Sequence, residues 1–407
     1  MKVLQVTTQR PGWTGSGTTL EALASAAEGW EHAVLCGVPA DEPPPEVAGV
    51  DPARVHAVRF GAGGDLPFPV VGMSDVMPYP SSVWSQLTAQ QLDAWRAAWR
   101  PALRQALEAE RPDVLHVHHA WLGAVLACEV AREVAGNLPV VLHGHGTGLR
   151  QLQLTPHLAE EVQTGASQVH GLCALHADHA ARYRAALGLP EDRIAVVGAG
   201  FDAQRFQARA GEPQAESLLF VGKWSEAKGV GPLLEAFGVV RARRPRAVLR
   251  LAGGGAGPEA EALRARALTQ PGVEVLGRLS DADLVAAMQA AQVFVLPSLY
   301  EGLPLVLVEA AAAGCRLVAT ALPGVLDALA VPLAQRLQLV PLPQLEGPDR
   351  VAPAARGAFV EDLAAGLEAA LAAGSGPPPG PSELAPFTWA AVTRRVEAAW
   401  GAAVRGS

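Results

Sequence analysis

A chain of 407 residues, half of them apolar and 18% charged, has room for two or three domains with cores of their own. Its net charge of -8, with no basic run, speaks against a nucleic-acid partner. Cys36, Cys128, Cys173 and Cys315 form no CxxC pair, which points to buried thiols in a reducing compartment and away from a disulfide framework or a cysteine zinc site.

Lys2-Val-Leu-Gln-Val-Thr7 reads as a first strand, without the long apolar core or small-residue cleavage site of a signal peptide. No apolar run approaches the roughly 18 residues of a membrane span. Gly12-Trp-Thr-Gly15-Ser16-Gly17-Thr18 follows, with a helix expected from about Thr19. A glycine-rich loop entering a helix can cradle an anion, though such a loop is also an ordinary flexible turn. Beyond a Pro/Gly-rich loop at 61–69, the segment Gly72-Met-Ser-Asp75-Val-Met-Pro-Tyr79-Pro-Ser81 is dense in rare residues. It is read either as a ligand-side loop or as a packed surface loop. Asp113-Val-Leu-His116-Val-His118-His119 and Val140-Val-Leu-His143-Gly-His145-Gly-Thr147 are two strands that end in histidines. Five of the 11 histidines lie there, and in a parallel sheet those strand ends are where sites form. Zinc is the rival reading, but no Cys or carboxylate completes a familiar ligand spacing.

Ser217–Val221 reads as a strand, Gly222-Lys223-Trp-Ser-Glu-Ala-Lys228-Gly229 as a loop and Val230–Val240 as a helix. Of 32 basic residues only Lys2, Lys223 and Lys228 are lysine, so two of three lie in this one loop. They suit point contacts to phosphate better than the usual fate of solvated surface charge. Val248–Leu251 then runs into Gly253-Gly-Gly255-Ala-Gly257, a turn that is weak evidence by itself. Asp281-Ala-Asp283 is read as part of a helix cap begun by Ser280 and not as a metal site. Val293–Leu296 is a buried strand, followed by Pro297-Ser-Leu-Tyr-Glu301-Gly302-Leu303-Pro304-Leu305-Val-Leu-Val-Glu309-Ala-Ala-Ala-Ala-Gly314. Pro304 suits the first helical position and Gly314 the stop. Glu309 stands in an apolar run, either on a solvent stripe or as one of two hydroxyl-binding carboxylates flanking a phosphate site. Arg316–Thr320 is a further strand; 331–353 is Pro/Leu-rich and shows no recognisable strand. Gly374–Pro381 is a connector, and a final helix to about Val404 carries Trp389, Val392, Val396 and Trp400 on one face.

The Glu301-x7-Glu309 stretch, with Pro297-Ser298 before it and Glu-Ala-x-Ala-x-Gly after it, resembles the signature of family 4 of the retaining glycosyltransferases. That resemblance implies an α/β protein of the GT-B fold, two Rossmann-like parallel-sheet domains facing an interdomain cleft. The divisions would fall at 1–205 for the acceptor side, 206–380 for the nucleotide-sugar side, and 381–407 for a helix returning to the first domain. It implies that Glu301 holds the donor sugar, Glu309 the ribose, and the backbone of Gly302, Leu303, Pro304 and Leu305 the phosphates. Lys223 and Lys228 would grip the diphosphate, with Lys223 in place of the family's usual Arg and so without its bidentate fork. Gly253 and Gly255 would lie by the nucleotide, and Gly15, Ser16 and Gly17 by the donor phosphate and acceptor. His118 and His145 would touch the transferred sugar and the acceptor. The donor would be a UDP or GDP sugar, transferred without a metal or other cofactor, the phosphate oxygen taking the acceptor proton. Acceptor identity and contact with the inner face of a membrane stay open; the expected compartment is the cytoplasm. A sugar-nucleotide epimerase and a non-catalytic scaffold of the same fold are the alternatives.

Overall fold

In the computed structural model, which describes residues 1–43, 45–74, 77–208, 211–374, 376 and 378–406, strands and helices alternate along almost the whole chain. The first series is β1 (Lys2–Thr7), α1 (Gly15–Ala26), β2 (Glu31–Pro39), β3 (Val55–Phe60), the short strands β4 (Val71–Gly72) and β5 (Ser82–Val83), and α2 (Ala89–Glu110). It continues with β6 (Val114–His118), α3 (Leu122–Ala135), β7 (Val140–His143), α4 (Thr147–Leu154), α5 (Ala159–Ala166), β8 (Gly171–Ala174), α6 (Ala177–Leu187) and β9 (Ile194–Val196). The second series opens with β10 (Gln214–Lys223), α7 (Val230–Arg243), β11 (Val248–Gly254), α8 (Pro258–Thr269), β12 (Val273–Gly277), α9 (Asp281–Ala290) and β13 (Ala291–Leu296). After it come α10 (Leu305–Ala312), β14 (Arg316–Thr320), β15 (Leu337–Val340), α11 (Arg356–Ala372), α12 (Pro381–Leu384) and α13 (Trp389–Gly406).

Each series builds a parallel sheet. One has the order β3-β2-β1-β6-β7-β8-β9, the other β12-β11-β10-β13-β14-β15. Strands covered on both faces lose the apolar–polar alternation. β13 is accordingly buried at all six positions, and β6 at all five, although two of those five are histidines. In each sheet the strand order reverses beside the first strand, between β1 and β6 and between β10 and β13. Parallel sheets bind ligands outside the C-terminal ends of the strands at such a point.

The chain forms two compact units, which divide between Gly200 and Phe201 and again between Thr388 and Trp389. The sequence placed these divisions at 205/206 and 380/381. The first crossing strand is tied to the last within the second unit, because the Phe201 N–H donates to the Phe387 carbonyl at 2.7 Å. Met77, Pro78 and Tyr79 group with the second unit. Asp75, in the same segment, and Ser375 and Pro377, in the connector, lie outside the described residues. α13 belongs to the first unit, where Val392, Val396 and Trp400 are fully buried against Val3, Leu23, Val114, Val141 and Cys173.

Three local expectations change. α1 begins at Gly15 and not near Thr19, because Thr14 caps it by accepting from the Gly17 N–H at 3.2 Å. Gly15, Ser16 and Gly17 are therefore the first turn of a helix and not a loop. Pro304 is the residue before α10 and not its first, with ψ near 87°. The stretch 331–353 does contain a strand, β15, which pairs in parallel with β14 from Leu317–Leu337 to Thr320–Val340.

Candidate functional site

In the second unit, the loops after β10 and β13 meet at the switch point. Gly229 has a left-handed φ of +68°, and a Cβ there would lie 2.1 Å from the Pro297 carbonyl oxygen. Only glycine permits that approach. The Leu299 N–H donates to the Ala227 carbonyl at 2.8 Å, which ties the two loops a second time. Lys228 Nζ consequently sits 2.5 Å from Glu301 Oε1, with the two side chains 25% and 14% exposed. Lys223, at the end of β10, is directed instead at Met77 Sδ, 3.9 Å away.

Glu309 lies on the second turn of α10. Its carboxyl makes no hydrogen bond among the described residues, and burial pushes its pKa up to about 7. Arg205 pulls in the opposite direction, while Asp281 and Asp202 add to the rise; Arg205 is itself paired with Asp281 at 2.9 Å. In the segment between the two glutamates, Pro304 has no N–H, and the Leu305 N–H turns back onto the Leu303 carbonyl at 3.0 Å. Gly253 (φ +103°) presses against the Gly222 carbonyl, where a Cβ would stand at 2.1 Å. Gly253 and Gly255 line a cavity of about 330 Å³ with Trp224, Arg264, Leu276 and Gly277. Trp224 was not expected from sequence; it is buried, and its indole N–H has no partner among the described residues.

In the first unit, polar side chains share one face of the sheet. Gln5 of β1 stands opposite His116 of β6, and His118 opposite His143 of β7. His118 Nδ1 and His145 Nε2 are 2.9 Å apart, His116 Nε2 and His143 Nδ1 3.3 Å. The rings of His143 and His145 stack at 4.5 Å. Desolvation lowers the pKa of His143 to about 4 and, reinforced by neighbouring imidazoles, that of His116, His118 and His145 well below 6.5. All four are neutral rings at pH 7. His119 adopts a left-handed φ of 71° and bonds Thr147 Oγ1 at 2.9 Å; such backbone strain in a non-glycine residue gathers at functional sites. At the start of α1, Ser16 is buried and reaches Gln9 Oε1 at 3.5 Å, while Gly17 leaves a Cβ no room beside Gly12 N, 2.5 Å away.

Residues 14–200 match the family described as Glycosyl transferase 4-like domain, and residues 215–335 match Glycosyl transferases group 1. A glycogen synthase of Mycobacterium tuberculosis is 27% identical over 342 residues, 81% of this chain and 80% of that protein. A D-inositol 3-phosphate glycosyltransferase of Pseudarthrobacter chlorophenolicus is 29% identical over 54% of this chain and 57% of its own length. Among solved structures, sucrose-phosphate synthase from Thermosynechococcus elongatus superposes with a TM-score of 0.65 at 17% identity, covering 100% of both chains. The trehalose 6-phosphate synthase of Burkholderia multivorans gives a TM-score of 0.64 at 14% identity, again over 100% of both. This chain is a GT-B glycosyltransferase.

The glycosyltransferase brings three ring nitrogens, one each from His116, His118 and His143, within 4.8 Å of one another, a spacing open to a metal ion. Trp400 closes it. Its indole N–H donates to His116 Nδ1 at 2.7 Å, so the proton of neutral His116 sits on Nε2 and neither nitrogen keeps a lone pair for a cation. Both nitrogens of His118 are likewise engaged, by His145 and by Gln5. Gln5 and Trp400 were missing from the expected site. Gln5 had a signal, as the one polar side chain inside the apolar core of a first strand; Trp400, 284 residues from His116, had none.

Proposed function

We propose that the protein is a retaining, metal-independent hexosyltransferase of family 4, acting on a UDP or GDP sugar and an acceptor hydroxyl. The observation that carries this is the Lys228–Glu301 contact at 2.5 Å, built at the switch point of the second sheet, with the uncommitted Glu309 carboxyl on the helix that follows. Lys228 is placed to neutralise the leaving diphosphate, Glu301 to accept from sugar hydroxyls and Glu309 from the ribose. The cavity beside Trp224 and the glycine-rich turn suits a nucleobase. The neutral histidines of the first unit suit recognition of sugar and acceptor hydroxyls. Catalysis by such groups is positioning and charge stabilisation, with no enzyme nucleophile. Four buried free cysteines suit a reducing compartment such as the cytoplasm. No helix among the described residues is long and apolar enough to cross a membrane, so contact with a membrane would be peripheral.

The test is a metal-free thermal-shift series with UDP, GDP and ADP, followed by turnover of the sugar conjugates of whichever stabilises the protein. Lys228→Ala and Glu309→Ala are each expected to lower kcat/KM for the donor at least about ten-fold, 1.4 kcal/mol. Wild-type kinetics in both variants would remove the donor-site assignment. The anomeric configuration of the first-formed product, read by NMR, tests retention.

A further inference from the structure

Two groups beneath the histidines have no choice in what they offer: the Trp400 indole N–H only donates, and the Leu20 carbonyl only accepts. Each sets the direction of a chain of hydrogen bonds. Trp400 Nε1 donates to His116 Nδ1 at 2.7 Å, so His116 carries its proton on Nε2 and gives it to His143 Nδ1 at 3.3 Å. His143 then keeps its own proton on Nε2. On the other side, the Leu20 carbonyl holds the NH₂ end of the Gln5 amide at 3.3 Å, and the same NH₂ reaches His32 Nδ1 at 3.2 Å. A flipped amide would set two carbonyl oxygens against each other at that distance. The Gln5 carbonyl oxygen therefore faces His118 Nε2, 3.0 Å away, and must be met by an N–H. His118 Nδ1 is then a lone pair, and His145 Nε2 donates to it at 2.9 Å. His145, a half-buried residue, is left with a bare Nδ1 that no described residue meets.

We infer that Gln5 is a positioning residue that acts through His118 to hold His145 in its Nε2–H tautomer, presenting Nδ1 as an acceptor for a ligand hydroxyl, while Trp400 acts through His116 to present His143 as a donor. Burial supports this by keeping the rings neutral, since a protonated ring would break either chain with two donors face to face. The arrangement leaves the Nε2–H of His32 buried without a partner, so the penalty falls on the ring at the far end from His145. That the ligand is a sugar rests on the function proposed above; the tautomers do not.

Two-bond ¹⁵N–¹H spectra of the full chain, labelled in histidine and without ligand, read the tautomers directly. Nε2–H is expected at His32, His116, His118, His143 and His145. Gln5→Met should let His118 and His145 populate both tautomers. Gln5→Glu is no rescue, because it sets a carboxylate oxygen against the Leu20 carbonyl and a negative charge beside His32 and His118, and it should drive these rings toward the doubly protonated form. Turnover should fall at least five-fold in both Gln5→Met and Gln5→Glu, with UDP or GDP affinity unchanged. An Nδ1–H tautomer at His118 or His145 in the wild type overturns the inference, and that spectrum decides even where Gln5→Met does not fold. The stated tautomers in a protein that binds no nucleoside diphosphate would uphold the inference and sink the donor reading alone.

Discussion

Glu309 is less stable as a carboxylate in the folded chain than in the unfolded one. Its pKa rises from 4.5 to about 7, so the native state holds a proton that the unfolded state gives up. The stability this contributes is fully present below about pH 4.5 and is lost as the pH rises through about 7. The whole shift is worth roughly 3 kcal/mol as an upper bound. Glu309→Gln is therefore expected to melt higher than wild type at pH 8, with the gap closing toward pH 5, while nucleoside diphosphate affinity drops. Parallel melting curves across that range would mean the carboxyl is hydrated after all. Glu301 behaves differently because it already has a cation. Releasing Lys228 by Glu301→Gln should leave UDP or GDP binding unchanged or tighter, yet weaken the intact sugar nucleotide and slow turnover at least ten-fold, about 1.4 kcal/mol. Equal losses for nucleotide and sugar nucleotide would place Glu301 on the phosphate side.

At the scale of elements, the donor half-site is two strand-to-helix loops held together by backbone. Gly229 is the closest point, so Gly229→Ala meets both left-handed strain and the Pro297 carbonyl. It is expected to cost about 2 kcal/mol or more in denaturant melts and to abolish donor binding, with Lys228 displaced. A variant that melts and binds like wild type would show that the loops can part freely. Much of this was readable in the sequence: the buried run of β13, its termination at Pro297, the stop at Gly314, and the concentration of lysine after β10. Other elements were not. The start of α1 depended on a single Thr14 side chain, which composition outweighed with three glycines. β15 was hidden because four residues flanked by prolines and leucines carry no period of their own and become a strand by pairing with β14.

At the scale of the molecule, alternation of strand and helix announced two parallel sheets, and the motifs announced which loops carry charge. What stayed hidden was whatever two distant segments make together. His118 and His145 were singled out one by one, but their hydrogen bond, the place of Gln5 opposite His116 and the cover provided by Trp400 arise from register and from a helix supplied much later in the chain. Trp400→Ala should cost about 3–5 kcal/mol and expose the imidazole face to solvent, whereas Trp400→Phe should retain most of the stability while freeing His116 Nδ1. Both are checked by melting and by the His116 ¹⁵N shifts.

The attachment of α13 to the first unit also has a temporal meaning. Ribosomes deliver sequence from one end, and units close in the order in which their parts emerge. β1 to β9 leave the tunnel with the groove for Trp400 uncovered, and wait through the synthesis of all of 201–388. The second unit can finish first; the first is completed last, by its own delayed helix. Released chains truncated after Thr388 should thus show a protease-resistant second unit beside a labile first one, and a peptide spanning 389–406 added in trans should restore resistance. Chaperones that shield apolar grooves would have their longest engagement with the sheet made earliest.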